Sequence, residues 1–336
     1  MELKKLDLID KKSMYKIYDQ WHKIAKNSYE SSLESFEIKD IDNIVFVGMG
    51  GSGTLGDIFS SILSKKNIHV SVVKGYVLPK TIDNNSLIIF TSVSGNTIET
   101  LTALKESLKL NCKTLSFSSG GKLEKFCIKN NLQYRKIKDI HSPRASFIGY
   151  LYSMLNILEN AIPIEKIQIF NSISELEKLN KKISYKHITL KNPAIKLAYD
   201  IKNVPLIYYP WGLQSAAIRF KNSLQENAKI HAITEDVVEA SHNGIVAWEK
   251  KSNIQPILLQ GKDDFIKTKQ RWKILKSYFT ENKIKYIDIM TIDGDILSKL
   301  TCLIYLLDYT SIYKALLLKT DPSPVKSIEY IKSKLK

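Results

Sequence analysis

The sequence has few cysteines, and their spacing argues against a disulfide-stabilised protein and against a cysteine metal site. Its three cysteines, Cys112, Cys127 and Cys302, are scattered along 336 residues without the spacing of a disulfide framework or of a metal site. The first twelve residues are charged throughout and lack the apolar core of a secretory signal. We therefore expect a cytoplasmic protein with reduced thiols and no bound metal.

Long apolar runs are also missing. The nearest, residues 302–318, is interrupted by Asp308 and Lys314, which makes it too polar for a membrane span. The hydrophobic fraction of 44% and the charged fraction of 25% are typical of a globular protein. A chain of this length can form one large domain or two ordinary domains with cores of their own.

Acidic residues are few relative to basic ones, which leaves a net charge of +16. Such an excess can mark a nucleic-acid surface. Here, however, the lysines are spread along the whole chain, alternate with acids in the predicted helices, and accompany no RNA- or DNA-binding motif. A composition rich in lysine, isoleucine and asparagine, together with attraction of an anionic substrate, is the simpler explanation. We expect neither nucleic acid nor a membrane as a partner.

Two polar turns, each following a short apolar run, organise the first half of the chain. Residues 44–47 lead into a first turn with four glycines (48–54), and residues 87–90 lead into a second turn rich in hydroxyls (91–97). Each apolar run is typical of a strand covered on both faces, and a helical pattern follows each turn. Because parallel strands end at the same edge of a sheet, we expect the two turns to lie together.

The physical chemistry of these turns favours an anion. The start of a helix leaves backbone N–H groups unpaired and carries the positive end of the helix dipole. Glycines let the backbone approach a ligand closely, and hydroxyls add neutral donors. A glycine-rich connection with an ordinary Ser/Thr cap is the alternative for either turn alone. The second turn has more hydroxyls than one cap needs, so we predict a phosphate site.

The first turn is not one of the common nucleotide-binding motifs. No P-loop pattern is present, although Gly48, Gly50 and Gly53 fit the dinucleotide fingerprint formally. That fingerprint requires an acidic ribose ligand at the end of the next strand, near residues 74–75, and the sequence has none there. The hydroxyl-rich second turn therefore favours a sugar phosphate over a dinucleotide.

The order of strand and helix patterns predicts an α/β protein with a parallel sheet flanked by helices, and a second copy of that fold. Helices are expected near residues 10–35, 145–160, 164–191, 216–227 and 295–318, with a last one to 336. Strands are expected near residues 44–47, 69–73, 87–91, 113–117, 133–137, 204–209, 256–260 and 285–291. The predicted segments are an N-terminal helical segment (1–40), a first domain (41–160), a linker helix (161–192), a second domain (193–292) and C-terminal helices (293–336).

Six short motifs occur along the chain in an order that resembles one family. They are Gly51-Ser52-Gly53, Ser92-Val93-Ser94-Gly95-Asn96-Thr97, Ser142-Pro143-Arg144, Gln225-Glu226-Asn227-Ala228-Lys229, Ser241-His242-Asn243 with Trp248-Glu249, and Asp321-Pro322-x-Pro324-Val325. The set resembles the bifunctional phosphoglucose/phosphomannose isomerases, which consist of two sugar-isomerase (SIS) domains. The resemblance extends from about residue 41 to the end of the chain. It implies interconversion of glucose 6-phosphate and mannose 6-phosphate with fructose 6-phosphate, without a metal or another cofactor.

The resemblance also implies roles for individual residues. Glu226 matches the base that moves a proton between C2 and C1. His242 matches a residue that helps to open the sugar ring and that the neighbouring subunit of a homodimer contributes. Arg144 would stabilise the charge that develops on the enediolate. Lys332 fits the register of a ring-opening lysine on the C-terminal helix, and its neighbours in that helix, Lys326, Lys334 and Lys336, remain alternatives.

The same resemblance assigns the phosphate ligands to the two turns. They are Gly51, Ser52, Ser92, Ser94 and Thr97. The corresponding turn of the second domain, residues 211–215, lacks the set of hydroxyls. We therefore expect one phosphate site per chain, in the first domain.

Two rival functions remain open. One is a single-substrate enzyme of the same fold, although an aminating enzyme would need an ammonia source, and no N-terminal glutaminase domain with its cysteine is present. The other is a sugar-phosphate-binding regulator without catalysis. Such regulators usually carry a DNA-binding domain, and the stretch of about 40 residues before the first domain is too short for the helix-turn-helix expected there.

Overall fold

The computed structural model describes residues 3–335. The first half contains α1 (Leu3–Ile9), α2 (Met14–Asp19), α3 (Trp21–Tyr29), β1 (Asn43–Val47), α4 (Gly51–Leu63), β2 (His69–Val73), β3 (Ser86–Thr91), α5 (Ile98–Ser107), β4 (Lys113–Ser118), α6 (Gly121–Lys129), β5 (Tyr134–Lys136) and α7 (Phe147–Ile157). The second half contains α8 (Lys166–Ile183), α9 (Pro193–Asp200), β6 (Val204–Tyr209), α10 (Gln214–Ser223), β7 (Ile233–Asp236), α11 (Val237–Ala240), β8 (Ile254–Gln260), α12 (Ile266–Glu281), β9 (Ile287–Met290), α13 (Ile296–Leu317) and α14 (Lys326–Lys334). A π-helix at Leu224–Ala228 continues α10, and a 3-10 helix spans Gly244–Glu249.

The first five strands form a parallel sheet in the order β2-β1-β3-β4-β5. Ile44 of β1 is level with Val70 of β2 on one side and with Leu87 of β3 on the other. Every residue of β1 and β3 is buried, as expected for strands with helices on both faces. The chain leaves β1 toward β2 on one side and then continues to β3 on the other. The carboxyl ends of β1 and β3 therefore flank a topological switch point, which is where open α/β sheets bind ligands.

The last four strands form a second parallel sheet in the order β7-β6-β8-β9. β6 is again central and pairs with β7 and β8. Its core is rich in aromatic side chains: Tyr208, Trp248, Trp272 and Phe279 belong to one buried cluster. The predicted fold class is confirmed: two SIS-type α/β domains, each with a parallel sheet flanked by helices, and helices at the C-terminal end.

Several element predictions differ from the structure. The helix expected over residues 164–191 ends at Ile183, and α9 follows it as a separate helix. The expected helix over residues 10–35 is divided into α2 and α3 and ends at Tyr29. Asp10 accepts a hydrogen bond from the backbone N–H of Tyr15 at 2.9 Å, which fixes the start of α2. β7 was not predicted, because its residues, Ile-Thr-Glu-Asp, lack an apolar run. β7 is an edge strand and none of its residues is buried, so it needs no such run.

The chain divides into two compact units. One contains the described residues up to Asp19, Lys178–Asp293, and the chain from Thr301 onward. The other contains Gln20–Glu177 and the short segment Gly294–Leu300. We call them the C-terminal unit and the N-terminal unit after the sheet that each contains. The domain limits given above at residues 40, 160, 192 and 292 stay a prediction.

α13 is the longest apolar helix of the described chain. Its length and composition would suffice to cross a membrane, but 83% of its apolar window is buried inside the protein. Tyr305, Tyr309 and Tyr313 stack along it with ring centroids 6.0 and 4.6 Å apart. The Tyr309 hydroxyl donates to the Tyr15 carbonyl oxygen at 3.2 Å. These contacts are those of a core helix, and they attach α2 to the C-terminal unit.

Candidate active site

The first turn directly connects β1 to α4. Gly50 has a φ of +53°, and no side chain of the described residues caps the helix that follows. Ser52 lies half-buried in the first turn of α4, where its backbone N–H donates to the Met49 carbonyl oxygen at 3.1 Å. The turn therefore presents a helix N-terminus and the hydroxyl of Ser52 at the carboxyl end of β1.

The second turn connects β3 to α5. The hydroxyls of Ser92 and Thr97 are 2.9 Å apart, and Ser92 is buried. Thr97 occupies the N-cap position of α5, but its hydroxyl bonds to Ser92, and no side chain within the described chain caps α5. Ser94 is exposed and accepts a hydrogen bond from the Asn96 backbone N–H at 3.3 Å. This turn presents hydroxyls and the N-terminus of α5 to the same edge of the sheet.

The backbones of the two turns approach each other closely. A Cβ at Gly48 would lie 3.0 Å from the Thr91 carbonyl oxygen and 3.1 Å from Cβ of Ser52. This close approach therefore favours glycine at position 48. The five predicted phosphate ligands are brought to neighbouring strand ends of one sheet.

Arg144 belongs to the same compact unit as the two turns. It is buried, with 7% of its surface exposed, and precedes α7. Ser146 donates to Asp139 at 2.5 Å, which orders the segment around it. The Tyr150 hydroxyl on α7 bonds to the Ile137 carbonyl oxygen at 3.0 Å and to that of Val93 at 3.5 Å. α7 is thereby attached to the second turn.

Glu226 lies in the π-helix that continues α10. The sequence predicted an α-helix to residue 227, whereas α10 ends at Ser223 and the following five residues take the wider π form. Glu226 is half-buried, and its neighbours Leu224 and Asn227 are fully buried. Single π turns occur frequently at functional sites, because they turn a side chain away from the direction that a regular helix gives it.

His242 is exposed in the turn that follows α11. The Nε–H of Arg271 on α12 donates to the Ser241 hydroxyl at 3.0 Å, and the Asn243 side chain donates to Glu239 at 2.8 Å. The flanking residues are thus fixed while the imidazole faces solvent. Glu235 lies against Gly244 in this region. Burial, and secondarily the charge of Glu239, raises the pKa of the Glu235 carboxyl.

Lys332 lies on α14, which has no buried residue. The alternatives Lys326 and Lys334 lie on the same exposed helix, and Lys336 lies outside the described residues. The choice among these lysines stays a prediction. Glu226, His242 and Lys332 belong to the C-terminal unit, and Arg144 belongs with the phosphate turns to the N-terminal unit.

One ion pair beside the first turn was not anticipated. Lys74 follows β2, and its Nζ lies 2.5 Å from Oδ2 of Asp57 on α4. The Lys74 chain passes the first turn, since a Cβ at Gly53 would lie 3.1 Å from its Cε. Burial raises the pKa of Asp57, and Lys74 offsets part of that rise. Among residues 3–335, no three His, Cys, Asp or Glu side chains are grouped so that they could hold a metal ion.

Comparison with known proteins gives the same family for the sequence. A family model, the bacterial phospho-glucose isomerase C-terminal SIS domain, matches residues 190–335. The chain is 32% identical to the bifunctional phosphoglucose/phosphomannose isomerase of Caldicellulosiruptor bescii over 96% of this chain and 98% of that protein. It is 29% identical to the protein of the same name from Aquifex aeolicus, over 94% of each.

Among solved structures, the fold is similar to the C-terminal domain of glucosamine-fructose-6-phosphate aminotransferase from Francisella tularensis. The TM-score is 0.68 at 18% identity, over 92% of this chain and 97% of that one. At this identity the likeness concerns the fold alone. With the relatives that match along nearly its whole length, the chain belongs to the bifunctional phosphoglucose/phosphomannose isomerase family and is a sugar-phosphate isomerase.

Proposed function

We propose that this protein interconverts glucose 6-phosphate and mannose 6-phosphate with fructose 6-phosphate through a cis-enediolate. The observation that carries the proposal is the pair of turns at the switch point between β1 and β3. Two helix N-termini and four hydroxyl side chains meet there at the end of one sheet. Such a site suits a dianionic phosphate, and full-length relatives are named for these two isomerisations.

The reaction moves one proton between two carbon atoms. After ring opening, the Glu226 carboxylate removes the C2 proton of the aldose, and the electron pair of that C–H bond forms the C1–C2 double bond of the enediolate. The protonated Glu226 then returns the proton to C1, while the O2 proton moves to O1 and leaves the C2 carbonyl of the ketose. Proton transfer of this kind by a well-placed carboxylate typically contributes 10²–10⁴-fold to the rate.

The other residues would act around this transfer. Arg144 is buried, so its guanidinium would stabilise the enediolate oxygens in a poorly hydrated place. His242 and Lys332 would move protons to and from the ring oxygen and O1 during ring opening. Rotation about C2–C3 after ring opening would let one base reach the C2 proton of either epimer.

The active form would be a homodimer in which His242 comes from the partner subunit. Its exposed position on a fixed turn agrees with a side chain that acts on a neighbouring protein. A symmetric dimer would then contain two identical shared sites.

A coupled assay of fructose 6-phosphate formation tests the proposal. Glucose 6-phosphate and mannose 6-phosphate are supplied separately, in EDTA, to the wild type and to Glu226→Gln. We expect turnover of both substrates by the wild type and a loss of about 10²–10⁴-fold in kcat in the variant, because the amide cannot accept the proton. The matched control is Glu281→Gln at the exposed end of α12, which should keep wild-type rates.

Each other outcome identifies a different rival. Turnover of glucose 6-phosphate with mannose 6-phosphate untouched would indicate the single-substrate enzyme. Binding of fructose 6-phosphate without turnover of either aldose would indicate the regulator. Loss of wild-type activity in EDTA would contradict the metal-independent mechanism.

A further inference from the structure

The π-helix that carries Glu226 is held from two directions by residues for which the mechanism above has no role. Asn227 and Lys229 stand in the same motif as Glu226, directly after it. We propose that both are positioning residues, which fix the peptide on the C-terminal side of Glu226 and thereby the direction of its carboxylate. The proposal rests on the proposed function of Glu226 as the base.

The first attachment is to α13. Asn227 is fully buried, and its side-chain amide donates to the Ser311 hydroxyl at 2.8 Å. Ser311 in turn donates to the Asp308 carbonyl oxygen at 2.6 Å. The residue next to Glu226 is therefore bonded to the backbone of a buried core helix through one side chain.

The same turn of α13 also holds the end of α10. The Asp308 carboxylate accepts hydrogen bonds from Ser223 at 2.7 Å and from Nε of Arg219 at 2.9 Å. All three side chains are buried. Ser223 is the last residue before the π-helix. Its hydrogen bond to Asp308, which is itself paired with Arg219, therefore fixes the point from which the π-helix begins. Buried charges must be paired in this way to be tolerated.

The second attachment is Lys229, which ends the π-helix in the left-handed conformation with a φ of +59°. Its backbone N–H donates to the Leu224 carbonyl oxygen, which closes the helix. Its Nζ donates to the Glu226 carbonyl oxygen and, at 3.3 Å, to that of Pro322. A lysine is less stable than a glycine in the left-handed conformation. The two hydrogen bonds of the Lys229 ammonium group offset that cost.

Together these contacts leave the Glu226 backbone little freedom. The carbonyl of Glu226 is held by Lys229, and the next residue is anchored to α13. Lys229 also bonds to the turn that precedes α14, the helix of the ring-opening candidate Lys332. A misplacement of about 1 Å in a catalytic group can cost about 10²-fold in rate. Loosening this peptide should therefore impair proton transfer more than substrate binding.

The experiment compares Lys229→Gly and Ser311→Ala with a matched control. Lys283 also adopts the left-handed conformation, with a φ of +57°, so Lys283→Gly reproduces the backbone change of Lys229→Gly outside the motif that contains Glu226. Glycine tolerates this conformation, so we expect both glycine variants to fold. Ser311→Ala removes the hydroxyl that accepts from Asn227, together with its own hydrogen bond to the Asp308 carbonyl oxygen. kcat and KM are measured with glucose 6-phosphate, and deuterium transfer from C2 to C1 is measured with the 2-deuterated substrate.

We expect Lys229→Gly to lower kcat by about 10- to 100-fold with KM within about twofold of wild type, and Ser311→Ala to act in the same direction. A displaced carboxylate exchanges its proton with water more often before returning it. The fraction of deuterium retained at C1 should therefore fall, or, where the wild type retains none, the deuterium isotope effect on kcat should rise. Neither quantity depends on the fraction of folded enzyme. Lys283→Gly should match the wild type in all of them.

Wild-type kcat in both variants, or a lower kcat with unchanged deuterium retention and isotope effect, would overturn the positioning role while Glu226→Gln remained inactive. Activity in Glu226→Gln would be a different failure, since it would remove the base itself and this proposal with it.

Discussion

Asp57 is the half-buried carboxylate beside the first turn, and its ionisation couples stability to pH. Burial raises its pKa above the ordinary value of 3.8, and Lys74 offsets only part of the rise. The protonated form is therefore favoured in the folded state. Its contribution to the free energy of unfolding is fully present below pH 3.8 and is lost as the pH rises through the higher pKa of the folded state.

Asp57→Asn removes this titration. We expect the free energy of unfolding of the variant, relative to wild type, to increase as the pH rises above 3.8, because the wild type alone loses stability when Asp57 ionises. Urea unfolding at several pH values measures the difference. Lys74→Met should steepen the pH dependence of the wild type, because it removes the cation that stabilises the ionised form. A difference that is constant with pH would contradict the raised pKa.

At the scale of elements, the second turn and the start of α6 support each other. The backbone N–H groups of Lys122 and Leu123 donate to the Asn96 side chain at 3.1 Å and to the Gly95 carbonyl oxygen at 2.9 Å. Gly95 has a φ of +65°, and a Cβ there would lie 1.7 Å from the Gly120 carbonyl oxygen. The turn that presents Ser92, Ser94 and Thr97 can therefore form only with glycine at this position.

Gly95→Ala should accordingly lower the free energy of unfolding by at least about 3 kcal/mol, because it adds a backbone clash to an unfavourable φ. Gly212→Ala is the matched control: its φ is +97°, but no atom lies within 4 Å of the added Cβ. It should cost only about 1–2 kcal/mol. Thermal and urea unfolding measure both, and equal losses in the two variants would show that the contact with Gly120 is unimportant.

At the scale of the whole molecule, the proposed sharing of sites predicts complementation between two inactive variants. Glu226→Gln and His242→Ala are each expected to lack activity. If His242 acts in the partner's site, a mixed dimer contains one site with both residues intact. Half of randomly paired dimers are mixed, and one of their two sites is complete, so remixing should restore about a quarter of wild-type activity.

The measurement is the isomerase rate after the two variants are unfolded and refolded together, compared with each refolded alone. Refolding Glu226→Gln with Glu226→Gln/His242→Ala is the control, since no combination of these chains provides a complete site. If the mixture of single variants stayed as inactive as this control, the His242 that serves each site would belong to the same chain as its Glu226.

Much of the fold could be predicted from short stretches of the sequence. Strands such as β1 and β3 are buried on both faces and therefore appear as continuous apolar runs, and their turns are marked by glycines and hydroxyls. The predicted bounds of β2 and β6 are those observed, and those of the other predicted strands differ by at most two residues at either end. β7 was missed because an edge strand is not required to be apolar.

The contacts that hold the backbone of Glu226 could not be predicted from short stretches of the sequence. Residues 216–227 have an ordinary helical pattern, and no local signal announces the π-helix at Leu224–Ala228. Asp308 and Ser311 were visible only as polar residues in an apolar helix. Their role follows from their contacts with α10 and Asn227, which are more than eighty positions away along the chain.

The sequence by itself determined the alternation of buried strands and helices, the position of the two turns at strand ends, and the family, because each depends on neighbouring residues. The tertiary structure decided the strand order, the widening of the helix around Glu226 and the attachment of α2 to α13. Each of these depends on contacts between distant segments, whose free energy appears only when the chain has closed the loops between them.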